Sequence, residues 1–89
     1  MKVMAIVNGL DLTFGKVYDV VFSYDTVYDL NCDTKRYCRN KNFFIEISDK
    51  YLPWCEENGM EVGFESHNEF LFDHGVKPID LKKLIEGEE

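Results

Sequence analysis

Between Lys50 and Lys77 the chain has neither lysine nor arginine, so whatever this segment meets, it meets without positive charge. Such a stretch repels nucleic acid and draws basic surfaces toward it. Long apolar runs are also missing. The opening Met1-Lys2-Val3-Met4-Ala5-Ile6-Val7 is far shorter than the hydrophobic segment of a signal peptide or a membrane helix, so a cytoplasmic location without membrane contact is expected. Cysteine is scarce and odd in number. Cys32, Cys38 and Cys55 are read as reduced thiols, not as a disulfide framework. The six glycines are scattered as turn and cap residues, with no phosphate loop and no dinucleotide fingerprint, so no cofactor is expected.

What remains is ample for a folded core. Hydrophobic residues at 45% and aromatics at 15% argue against disorder despite a net charge of −7. Eighty-nine residues make one domain, whose core buries roughly 60–65% of the surface of the unfolded chain. The charge is segregated. Residues 1–48 hold six acids and six bases, whereas residues 49–89 hold eleven acids and four bases and carry the whole −7.

The first half reads as short strands. Lys2 to Val7 ends at the turn pair Asn8-Gly9. In Lys16 to Phe22, Tyr18, Val20 and Phe22 share an apolar face and alternate with Val17, Asp19 and Val21. Tyr28 and Leu30 oppose Asp29 and Asn31, Arg36 to Arg39 pairs back, and Phe43, Ile45 and Ile47 are expected to face inward on a last strand. Five closely spaced strands suit a small antiparallel barrel or sandwich, and closure would remove exposed edges.

Leu12-Thr13-x-Gly15-Lys16-Val17-Tyr18, then Tyr28-Asp29-Leu30-Asn31, a polar turn, Tyr37 and Asn42-Phe43-Phe44 resemble the small SH3-like barrels common among bacteriophage and prophage proteins. The resemblance covers about residues 1–48. It implies that a single-turn helix precedes the last strand; the loop after Tyr37 often has a proline in that family, and Cys38-Arg39-Asn40-Lys41 has none. What it implies functionally is an interaction scaffold. The expected fold is therefore mainly β: an SH3-like barrel over 1–48 with an acidic, aromatic extension over 49–89 packed on it as one structural domain.

In that extension Pro53 starts a short helix ended by Gly59. Met60, Val62 and Phe64 alternate with Glu61, Gly63 and Glu65 as a strand with an acidic face, on which Glu61 and Glu65 would stand about 13 Å apart. Residues 66–74 fit either a hairpin arm, the preferred reading, or a helix opened by the capping pattern Ser66-x-x-Glu69 and closed by Gly75. After Pro78 a short helix is expected with Leu81, Leu84 and Ile85 on one side, and Glu86 to Glu89 are expected to fray.

Catalysis has little to stand on. Cys55 with His67 or His74 and Asp73 has the residue types of a thiol nucleophile, base and orienter, but no motif surrounds it. Cys32, Cys38, Cys55, His67 and His74 lack zinc-knuckle spacing, so neither an enzyme nor a metal site is expected. The leading expectation is a small phage-type regulatory or inhibitory protein acting in the host cytoplasm. It would bind a basic surface of one host or defence protein through Trp54, Glu57, Glu61, Glu65, Glu69, Phe70 and Asp73, with carboxylates standing where nucleic-acid phosphates would. A rival is a nucleic-acid-binding barrel using Lys35, Arg36, Tyr37, Arg39 and Lys41, which the net charge disfavours. A structural or assembly role is the third.

Overall fold

The computed structural model describes the backbone of residues 1–86 and the side chains of residues 1–83. The chain runs β1 (Lys2–Ala5), β2 (Val17–Ser23), β3 (Val27–Asn31), β4 (Arg36–Asn40), a single-turn 3-10 helix (Lys41–Phe43) and β5 (Phe44–Glu46), then α1 (Tyr51–Asn58), α2 (Phe64–Asp73) and α3 (Leu81–Glu86). The strands form one antiparallel sheet in the order β4-β3-β2-β1-β5. This is a small, mainly β architecture, and among the described residues no ladder joins β4 to β5, so the sheet stays open. Cys38-Arg39-Asn40 belongs to β4 and not to a loop.

The sheet meets a core on each side. Val3, Ala5, Leu12, Tyr18, Tyr28, Leu30 and Phe44 bury one another on one side. Met4 points the other way and is enclosed by Tyr51 and Cys55 of α1 and Phe70 of α2. Alternation along β1 therefore sends neighbouring side chains into two different cores.

That double burial corrects the phase expected for the last strand. Phe44, not Ile45, enters the first core, while Ile45 and Ile47 pack against the helices. Where neighbouring residues such as Phe44 and Ile45 enter cores on opposite faces, both are apolar and the phase is not readable from alternation. A second correction concerns Phe22. Val20 pairs with Leu30 but Phe22 pairs with Asp29, so Val21 is an extra residue in β2 and reverses the phase beyond it. Phe22 is 56% exposed and its ring lies tilted against Tyr24, centroids 4.7 Å apart, outside either core.

The expected strand over Met60 to Glu65 and the hairpin over 66–74 are absent: Met60–Gly63 is a turn and α2 begins at Phe64. Ser66 does not open the helix but lies in its first turn, where its hydroxyl donates to the Gly63 carbonyl at 3.1 Å. Glycine ends both longer helices. Gly59 and Gly75 adopt left-handed φ (64° and 74°), and Met60 and Val76 donate back to the Cys55 and Leu71 carbonyls, the Schellman arrangement. Pro53 sits at the third position of α1, where an amide has no helical acceptor to lose. Glu86, expected to fray with the residues after it, is the last helical residue of α3, while the side chains of Leu84 and Ile85, and residues 87–89, lie outside the described residues. No helix is long and apolar enough to cross a membrane among the described residues.

Candidate functional site

The N-terminal end of α2 is built around one phenol. The Tyr51 hydroxyl accepts from the Gly63 amide at 3.0 Å, bonds the Gly63 carbonyl at 3.0 Å and meets the Ser66 hydroxyl at 2.7 Å. Burial pushes the Tyr51 phenol up, so it stays neutral and able to donate. Tyr51→Phe is expected to cost about 1–2 kcal/mol in urea unfolding, since Gly63 loses a buried partner; a variant as stable as the parent would show that the hydroxyl is idle.

Facing this turn is the loop before β2. Gly15 has φ 81°, a left-handed conformation that favours glycine, and a β-carbon there would be in ordinary contact, 3.5 Å from the Phe64 amide nitrogen. Phe14 leans on Phe64 with ring centroids 5.7 Å apart. Asp33, from the β3–β4 turn, holds the loop by accepting from Thr13 Oγ1 (2.8 Å), Lys16 Nζ (2.7 Å) and Tyr18 OH (2.9 Å). The Lys16 ammonium holds the Asp33 carboxyl below its ordinary range. Asp11 clasps the same turn through the Thr34 amide and hydroxyl and the Lys35 amide.

Between the loop and α2 lies an open groove of about 600 Å³. Phe14, Met60, Val62, Phe64 and Leu81 supply its apolar lining, and Glu61, Glu65 and Glu69 supply its charge. No lysine or arginine lines it among the described residues. Lys16, next to Gly15, is already engaged by Asp33. The α3 wall is fixed through Asn68, whose side chain donates to the Ile79 carbonyl (3.0 Å) and accepts from its amide (2.9 Å), while Asp80 accepts from the Lys82 amide (3.1 Å) at the start of α3.

Set beside known protein families, curated proteins and solved structures, the chain matches none. The reading of the site thus rests on its own residues.

The expected site residues divide into three groups. Glu61, Glu65 and Glu69 converge on the groove, and none of them is in an ion pair among the described residues. Glu57 lies exposed on α1, and Asp73, at the end of α2, accepts from Trp54 Nε1 at 3.1 Å. Trp54 is half-buried, its ring edge-on to Phe70. Phe70 is a correction: only 4% exposed, it belongs to the second core and has no surface to offer a partner. The 13 Å strand spacing of Glu61 and Glu65 also falls away, because Glu65 is helical.

The cationic group is occupied at home. Arg36 binds the Asp29 carboxylate with Nε and Nη2, both at 2.8 Å, and holds that carboxyl below its ordinary range. Arg39 donates to the Leu10 carbonyl and stacks 4.3 Å over Tyr37, and Lys41 lies over the Tyr28 ring. Lys35 stands exposed in the turn. Cys55 is buried beside Met4, away from solvent, and Cys32 and Cys38 lie elsewhere on the sheet. No group of three metal-ligating side chains occurs among the described residues.

Phe14, Gly15, Met60, Val62 and Leu81 were not anticipated as site residues. Nothing in their spacing links position 14 to position 64; only the fold brings them together.

Proposed function

We propose that this chain is a protein-binding module that captures a basic segment of another protein in the groove between the Phe14 loop and α2. The observation that carries this reading is the lining itself: three carboxylates among apolar side chains, with no lysine or arginine in the lining and no ion pair to any of the three among the described residues. In an exposed site such charges steer encounter and select partners, while the apolar lining supplies contact area.

A small SH3-like barrel of phage type, regulating or inhibiting a host or defence protein, is the biological setting we propose. The strand order β4-β3-β2-β1-β5 and the single 3-10 turn before β5 support the barrel kinship. Carboxylates on this groove suit a segment of protein that itself contacts nucleic-acid phosphates.

The test is affinity capture at low and high salt with the wild type and a Glu61→Lys/Glu65→Lys/Glu69→Lys variant. Captured partners should weaken on the order of tenfold or more in the variant, with a flatter salt dependence. Unaltered affinity and salt response in the variant would defeat the reading.

A further inference from the structure

Away from the groove, β4 is an open margin of the sheet. At the two ends of its ladder with β3, the Cys32 amide donates to the Lys35 carbonyl (2.8 Å) and the Lys41 amide to the Thr26 carbonyl (3.0 Å). Antiparallel pairs alternate between bonded and non-bonded, so between these ends Tyr37 and Arg39 give their backbone groups to Leu30 and Tyr28 of β3. The N–H and C=O of Arg36, Cys38 and Asn40 therefore face away from the sheet, and among the described residues no strand pairs with that side. The Cys38 carbonyl accepts a long bond, 3.4 Å, from Arg39 Nη1, which leaves its second lone pair free.

Nothing in β4 turns a neighbouring strand away. Edges are commonly guarded by proline, a bulge or outward charge. This one has no proline, and its five residues keep an unbroken register with β3. Both arginines are held by their own chain, Arg36 by the Asp29 carboxylate and Arg39 by the Leu10 carbonyl and the Tyr37 ring. The opposite margin, β5, is only three residues long.

The residues of β4 also say what fits there. Outward groups must meet outward groups, so an antiparallel neighbour can shift only two residues at a time. For a second copy of β4, the register centred on Cys38 pairs all five residues: Arg36 opposite Asn40, Tyr37 opposite Arg39, and Cys38 opposite its own counterpart. A shift of two in either direction leaves three pairs, and one of those shifts sets Arg39 against Arg39. We infer that two copies of this chain join β4 to β4 about a two-fold axis at Cys38, continuing one sheet through both. The halves that meet are the balanced residues 1–48, while the excess negative charge lies in 49–89. Its long-range repulsion is screened by salt, so the pairing tightens as salt rises.

Amide hydrogen exchange read by NMR on the reduced full chain, over a concentration series at moderate salt, tests this. As light scattering shows dimer forming, the amides of Arg36, Cys38 and Asn40 should slow by about the factor by which dimer outweighs monomer, while those of Tyr37 and Arg39, already bonded to β3, change less. The register is read by charge exchange at the exposed Cys38. Cys38→Lys and Cys38→Glu each set like charges face to face and should weaken the dimer about fivefold or more, and an equimolar mixture of the two should restore it as a heterodimer. A parent chain that stays monomeric at every concentration, a dimer whose formation spares the Arg36, Cys38 and Asn40 amides, or a mixture no tighter than its components would overturn the inference.

Discussion

Met4→Ala is expected to remove about 2–5 kcal/mol, a large part of the roughly 5–15 kcal/mol that holds a domain together. Met4 is 0% exposed and is enclosed by Tyr51, Cys55 and Phe70, so its truncation leaves a cavity between the sheet and both helices. Neighbouring Val3 and Ala5 belong to the other core, and a loosened β1 weakens both. Urea unfolding followed by helical circular dichroism and by aromatic near-ultraviolet signals should therefore move together to lower midpoints. Met4→Leu, which keeps the volume, should stay within about 1.5 kcal/mol. An alanine variant with the parent midpoint would mean that the helices do not lean on the sheet here.

Acid should unfold the protein through His67. Its ring is 2% exposed, its Nδ1 has no hydrogen-bond partner, and burial holds its pKa below the ordinary 6.5. Around it stand Tyr51 at 4.9 Å and Phe70 at 6.1 Å, and no charged neighbour contributes to the shift. Between the lowered value and 6.5 the unfolded chain binds the proton and the folded chain refuses it. Stability is thus full above pH 6.5 and falls as pH drops below it, by up to about 1.4 kcal/mol per pH unit. Asp11, Asp29 and Asp33 are also lowered, but from 3.8, so their loss belongs to stronger acid. His67→Leu should flatten the slope below pH 6.5, and should not weaken the fold at neutral pH, since it removes an unpartnered polar atom. Parallel pH profiles for the two proteins would refute the assignment.

Where one face of a strand is wet, the sequence was readable. Tyr28 and Leu30 against Asp29 and Asn31 predicted β3 correctly, and the single turn before β5 followed from the family resemblance. Legibility failed where the physics is not local. Val21 is chemically an ordinary strand residue, and only pairing with β3 makes it a bulge. Met60, Val62 and Phe64 alternate like a strand, yet Phe64, His67, Phe70 and Leu71 also fit a helical stripe. The choice is made by Tyr51, which fixes Gly63 from twelve residues away, and by Met4, which needs cover. The acidic row was visible as composition, but the groove that gathers Glu61, Glu65 and Glu69 exists only once the Phe14 loop arrives opposite them.

Because the extra residue at Val21 turns Phe22 outward beside Tyr24, the sheet presents an oily exterior at the end of β2 where the chain turns into β3. At neutral pH the surplus of seven negative charges keeps neighbouring molecules apart. Near the isoelectric point of about 4.7 that repulsion vanishes, and crowded solutions should coalesce through this exterior first.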